Sequence, residues 1–252
     1  MKTLQRYRYL APRSWALLLA AYWLPCIYIV LGGFKMTTII NVKQSTLDAM
    51  LLIAGKKDIR YYLNGVCLEW NSTLTRAVGC DGHKLAVMNE TRDDNQGAGS
   101  IIIPRDVIER LPKRSNLNYV VSITCTGVED NKKWAIVAAG VTINFTPYDD
   151  RYPDWRRVSQ GIKTSGEAAG FNLDYLVAFE KAGAILGGGK CRVGNRTRIH
   201  HNGAQGAIVT LDGIDGFAGV LMPLREQAGS AGALFPADLV TDLNAQPEQL
   251  AA

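Results

Sequence analysis

The sequence predicts an α+β fold built from tandem strand–helix–hairpin units, with antiparallel sheets that carry helices on one face. Three observations predict it. Between residues 36 and 225 three similar units follow one another, each a short apolar strand, an amphipathic helix and two or three alternating strands. Asn-Gly and Asp-Gly turn signals punctuate the alternating runs. The 252 residues, 47% of them hydrophobic, suffice for one large domain or two small ones with a buried core.

In the first unit Thr38–Val42 reads as the strand and Ser45 as the helix N-cap. Leu47, Met50, Leu51 and Ala54 recur at helical spacing. Tyr61–Trp70, Leu74–Cys80 and Lys84–Asn89 alternate as strands, separated by Asn71-Ser72 and by the hairpin pair Asp81-Gly82. The second unit opens with Ser100–Ile103. Pro104 suits a helix start, Val107, Ile108 and Leu111 form the apolar face, and Pro112 ends it. Tyr119–Thr126, Trp134–Ala138 and Val141–Phe145 supply its strands. The third unit is expected to begin with a strand at Ala168–Phe171. A helix over 173–186 should turn Leu173, Leu176, Val177 and Ile185 inward, with weaker strands at Lys190–Ile199, Ala207–Leu211 and Gly219–Met222.

This divides the chain into a hydrophobic segment at 1–35, a domain at 36–164, a half-domain at 165–225 and a tail at 226–252 rich in Ala, Gly, Pro and Gln. Trp15–Phe34 carries no charge and follows four basic residues, a length that just spans a bilayer. Three readings of it stay open: Met36 is the true start, the segment is a membrane anchor, or it is a cleaved signal. The expected location is the cytoplasm, with membrane anchoring only if residues 1–35 are translated.

The net charge of +5 belongs wholly to that segment. It holds Lys2, Arg6, Arg8, Arg13 and Lys35 and no acid, which leaves 23 basic and 23 acidic residues in the rest. A general polyanion-binding surface is therefore not indicated, and nucleic-acid contact would need a local basic cluster. The five cysteines are widely spaced with no C-x-x-C pair, which argues against a disulfide framework or a zinc site. Catalytic patterns fail one by one. Gly183–Lys190 resembles a phosphate loop but has Ala184 and Cys191 where Gly and Ser/Thr are required. Asp81-Gly82-His83 has no nucleophile elbow to serve, and the adjacent His200 and His201 point to opposite faces of a strand. The reading is a binding protein, not an enzyme, with no cofactor.

Three segments then carry a specific match: Lys57–Gly65 (KDIRYYLNG), Cys80–Val87 (CDGHKLAV) and Arg151–Val158 (RYPDWRRV). In this order and spacing they resemble the middle domain of the bacterial β sliding clamp, the processivity factor of DNA polymerase III. Gly219–Arg225 (GVLMPLR) is similar to that clamp's C-terminus, and Gly170-Phe-Asn172 to the opening of its last half-domain. The resemblance covers 36–225 and implies a DNA-clamp-like fold, a ring with sheets outside and helices inside. It also implies tethering of a polymerase to duplex DNA, and a surface pocket for short peptides of polymerases and clamp loaders.

Carried over residue by residue, it implies a peptide pocket formed by Leu63, Gly82, His83, Lys84, Leu85, Pro153, Arg157, Val158, Val220, Leu221, Met222, Pro223, Leu224 and Arg225. Apolar members would make the floor and Arg and His the rim. On the DNA side Lys57, Arg60, Tyr61 and Tyr62 match a loop near the duplex. Lys56, Arg105, Arg110, Lys113, Arg114 and Lys181 are candidate helix-side cations for contacts to phosphates that ignore sequence. The partners implied are duplex DNA, polymerase and clamp-loader peptides, and further copies in a homo-oligomer.

The family's first domain and half of the last are absent, so this is a shortened member, with phage derivation left open. One and a half domains fit no standard ring. The alternative function is a non-encircling interaction protein that competes for clamp-binding peptides. Ala233-Leu-Phe235 and Gln249-Leu250 in the tail share fragments with such peptides, which suggests occupation of the pocket in cis.

Overall fold

The structure, a computed structural model, describes residues 38–92, 97–113, 116, 118–127, 131–160, 162–188 and 197–225. The expectations for residues 1–35, for the tail, for Arg114 and for the end of the glycine-rich run lie outside these residues. The first unit comprises β1 (Thr38–Lys43), α1 (Gln44–Ile53), β2 (Gly65–Trp70), β3 (Leu74–Cys80) and β4 (Lys84–Thr91). The second comprises β5 (Gly99–Pro104), α2 (Arg105–Glu109), β6 (Val120–Thr126), β7 (Lys133–Ala138) and β8 (Val141–Phe145). A connector bearing α3 (Trp155–Gln160) leads to the third unit: α4 (Leu173–Gly187), β9 (Thr197–His200), β10 (Ala207–Leu211) and β11 (Phe217–Leu221).

The first two units exchange their opening strands. β1 joins the second unit's hairpins in a four-stranded sheet of order β1-β6-β7-β8, and β5 joins the first unit's beside β2. Both pairings are antiparallel and set Ile40 opposite Ile123 and Val66 opposite Ile103, so the two crossings bury matched apolar faces. The third unit then extends the other sheet. β11 pairs antiparallel with β4, Val220 opposite Leu85 and Phe217 opposite Met88, giving a seven-stranded sheet of order β5-β2-β3-β4-β11-β10-β9. The sheet thus runs across the expected boundary at 164 and 165.

Alternation along the strands sends residues to two different cores. From β2, Val66 and Leu68 join the helix-side core with Leu47, Met50, Ile123, Phe179 and Leu221, while Cys67 joins a smaller cluster on the outer face. That outer cluster is roofed by Tyr152, Trp155 and Ile162 of the connector. This two-sided cover explains why β2 and β3 are buried almost throughout, and burial pushes the Cys67 thiol up to about 12, as expected of a structural cysteine. Helix and sheet approach so closely that a Cβ on Gly79 would lie 2.3 Å from the Met50 carbonyl oxygen.

Several local expectations are corrected. Ser45 lies inside α1, which starts at Gln44; the N-terminal turn is served by Glu90, whose carboxylate accepts from the Lys43 amide at 3.2 Å and from the Thr46 hydroxyl. Tyr61–Asn64 is a 3-10 turn, and the strand begins at Gly65. Ala168–Phe171 forms no strand. Leu173 and Val177 do not face inward: they are 73% and 41% exposed, and α4 instead buries Phe179, Ala182 and Gly183. The reason is tertiary. α4 packs mainly along α1, with Phe179 turned to β11, so its fully buried stripe is narrow.

Candidate functional site

The site begins with the turn between β3 and β4. Asp81 accepts the amide hydrogens of His83 and Lys84, each at 2.8 Å, and Gly82 takes φ +92°, a left-handed conformation that favours glycine. The turn therefore holds His83 outward. Its ring stacks on Tyr175 of α4 with centroids 5.7 Å apart, and Lys84, paired with Asp81, places its ammonium 5.2 Å from the same ring. The chain leaving β11 is pinned beside this turn. Met222 donates its amide to the His83 oxygen at 2.9 Å, and Leu224 donates to Gly170 at 2.8 Å.

These elements enclose an open cavity of about 760 Å³ lined by Gly82, His83, Gly170, Asn172, Tyr175 and the Met222–Arg225 segment. A second compartment of about 530 Å³ is lined by Val158, Ile162, Lys163, Gln205, Gly206 and Met222. Met222 lines both and is 39% exposed, so a single flexible thioether divides one groove into two. Leu63, Leu85 and Val220 are buried in the outer cluster and line neither compartment.

The predicted pocket residues do not all converge. Leu221 is fully buried in the helix-side core, because neighbours on a strand point to opposite faces and Val220 takes the groove side. Pro153 lines a separate groove with Tyr148 and Asp149. Arg157 is exposed on α3 and lines neither compartment. Gly82, His83, Val158, Met222, Pro223, Leu224 and Arg225 do line the groove.

Sequence reasoning missed the groove's walls from the third unit, Asn172 and Tyr175. It also missed the tie that holds the connector. Trp155 meets the guanidinium groups of both Arg76 and Arg156, whose carbons are 5.0 and 4.4 Å from its ring. Glu69 on β2 joins the set, accepting from Arg156 Nη2 at 2.6 Å and from Trp155 Nε1 at 3.3 Å, with Arg76 at 3.6 Å. Burial pushes the Glu69 carboxyl up, but the hydrogen bonds from Arg156 and Trp155 and the two arginine charges outweigh it, so it titrates below its ordinary value. The tandem arginines at 156 and 157 were visible, but their glutamate partner lies 87 residues from Arg156 and gave no local signal.

The expected DNA side is less uniform. Lys56, Lys57, Lys113 and Lys181 are exposed. Arg105 is not a free cation: its guanidinium Nη2 donates to the oxygens of Leu51 at 2.7 Å and Ala54 at 3.0 Å, closing the C-terminus of α1. Arg110 pairs with Asp106 at 3.2 Å, and Arg60 with Asp58 at 2.8 Å, which holds the Asp58 carboxyl down at about 2. Tyr61 is half-exposed and meets Tyr148 edge-on, whereas Tyr62 packs on the outer cluster, the groove side of the sheet. Among the described residues no cluster of three His, Cys, Asp or Glu side chains is placed to hold a metal. No described helix is long and apolar enough to cross a membrane.

Residues 40–154 match the model of the DNA polymerase III beta subunit central domain. The beta sliding clamp of Proteus mirabilis is 33% identical over 158 residues, 60% of this chain and 41% of that protein. Over this stretch the chain is similar to beta sliding clamps. The clamp of Escherichia coli K12 is 31% identical over 159 residues, 62% of this chain and 41% of that one. The chain thus spans about two fifths of the length of these relatives. Among solved structures, the Pseudomonas aeruginosa sliding clamp superposes with a TM-score of 0.55 at 19% identity, covering 75% of this chain and 66% of that one. A putative beta subunit from Eubacterium rectale gives 0.57 at 10% identity over the same shares. These likenesses show the clamp fold.

Proposed function

We propose that the chain is a clamp-like processivity factor that receives partner peptides in the groove between its first and third units and holds a polymerase at duplex DNA. The observation that supports this reading best is the joint construction of the groove. His83 and Met222 come from units far apart in sequence, yet an amide–carbonyl bond of 2.9 Å sets them side by side. The apolar lining residues Val158, Ile162, Met222 and Leu224 suit aliphatic and aromatic anchors, and His83 and Arg225 suit the peptide backbone or a carboxylate. No nucleophile–base pair takes part, so the reading is binding and not catalysis.

The test uses the full chain. A fluorescent polymerase-tail peptide carrying a Gln and a Leu-Phe pair should bind, and Met222→Ala should weaken it about tenfold, the loss of one well-packed anchor contact. Equal affinity of wild type and M222A sinks the groove assignment. In parallel, the chain loaded on nicked circular DNA should stay bound and leave once the circle is linearised. The competitor reading, peptide capture without encirclement, is favoured by the internal pairing of Arg105, Arg110 and Arg60. It predicts peptide binding with no retention on circles.

A further inference from the structure

Uncovered apolar surface collects on the helix side of the molecule. Leu173 is 73% exposed, Val177 41% and Leu52 37%. Leu173, Val177 and Ala184 recur at helical spacing on one side of α4, and Ser45, Asp48 and Leu52 do so on α1. Between these two helices and the end of α2 runs an open groove of about 870 Å³, lined by Gln44, Asp48, Leu52, Leu111, Ala184 and Ile185. None of them lines the peptide groove, so this face stands or falls apart from the function proposed above.

Two polar groups here lack a full set of partners. Gln44 is 3% exposed; its Nε2 donates to the Pro112 oxygen at 3.0 Å, but its Oε1 meets no donor. Asp48 is half-buried, and burial pushes its carboxyl up against the lowering effect of Lys113. The groove therefore suits an apolar occupant that brings N–H or O–H donors and positive charge. Duplex DNA is a poor match, because the charges on α1 and α4 are Asp48, Asp174, Glu180 and a single cation, Lys181.

The chain itself holds a segment of the required chemistry. Trp15–Phe34 carries no charge, and Trp15, Tyr22, Trp23 and Tyr28 within it bear N–H or O–H donors. Residues 1–35 hold Lys2, Arg6, Arg8, Arg13 and Lys35 and no acid, the complement of the three acids on the two helices. Its length suffices: twenty residues reach about 30 Å even at helical rise, against about 22 Å for α4. The segment joins the chain at β1, which runs directly into α1, so it is tethered to one wall of the groove.

We propose that residues 15–34 dock on the face formed by α1 and α4, with their apolar side chains over Leu52, Leu173 and Val177 and the basic residues around them beside Asp48 and Asp174. Docked there, the segment lies over Lys113 and Lys181 and bars both from phosphate contact. The helix side is then open to nucleic acid only after the segment has left.

The test labels an introduced thiol on the 252-residue chain. Val177→Cys and, separately, Leu52→Cys should react slowly with a polar maleimide, read residue by residue in a mass spectrometer so that Cys26 and Cys191 do not interfere. Leu18→Asp with Leu24→Asp, both in the segment, should speed each reaction about tenfold while the melting transition persists. Labelling that is equally fast with either segment overturns the proposal; if the chain then also floats with vesicles of phosphatidylcholine and phosphatidylglycerol, the segment serves a bilayer instead. Slow labelling that survives the two aspartates overturns it as well, and if that protection grows with protein concentration a second copy covers the face.

Discussion

Residues 38–154 and 162–225 are made of the same kind of unit, yet they reach stability differently. In the first region two units complete each other: β1 and β5 cross over, and Ile40, Val66, Ile103 and Ile123 are wholly buried by the crossing. In the second, among the described residues, one unit stands without a sister unit. It leans on its neighbour through β11 on β4 and α4 on α1, and lends Phe179, Val209 and Leu221 to the neighbour's core. The lesson is that the opening strands of the first two units are each placed on the other unit's hairpin edge. The segment before α4, expected as a strand, forms none among the described residues.

The strongest way to break this comparison is Phe179→Ala. Phe179 is fully buried, meets Phe217 edge-on and lies where a Cβ on Gly219 would be 2.5 Å from its ring. Its removal should cost about 3–5 kcal/mol and detach the third unit first. Calorimetry should then show two transitions, the upper one belonging to 38–154; a single transition at a lower temperature would mean that the regions fold as one cooperative body.

Arg105→Ala comes next. It leaves the carbonyl groups at the end of α1 without a charged donor and should destabilise the chain by about 1–3 kcal/mol in a denaturant titration. No change in the midpoint would return Arg105 to the pool of free surface cations.

A smaller effect sharpens the role of the connector. Glu69→Gln keeps the shape but loses the charge that holds Arg156 and Trp155, so stability should fall by about 1 kcal/mol and peptide affinity by a few fold. The folded carboxyl titrates below its ordinary value. Its contribution is therefore full above the unfolded pKa, near 4.3, and is lost as pH falls through the folded value. The stability difference between wild type and E69Q should shrink on acidification below that range, and a constant difference would refute the charged tie. Smallest of all, Lys56→Ala and Lys57→Ala should leave stability within about 0.5 kcal/mol, as exposed charges do. They should also flatten the salt dependence of any DNA binding; an unchanged slope would remove this loop from the DNA side.

Much of the fold was legible residue by residue. The alternation of β6, the Asp81-Gly82 hairpin and the Leu47/Met50/Leu51/Ala54 stripe each follow from local periodicity, and each is observed. The groove was half legible. His83 and Met222 were found by resemblance, while Tyr175 was not, because an exposed-edge tyrosine on a helix carries no mark until the helix is placed against the turn it stacks on. Leu221 failed for the opposite reason: a motif names consecutive residues, but a strand sends alternate ones to opposite faces.

By itself the sequence determined the kind of unit, the number of units and the apolar face of most elements. These depend on neighbours within a turn or two of the chain, where side-chain period and turn chemistry act. Only the tertiary structure decided which unit receives which strand, which side of α4 is covered, and that Glu69 holds Trp155 across 86 residues. Those outcomes depend on edges and faces that distant segments offer or withhold, and no local pattern encodes an edge that is absent.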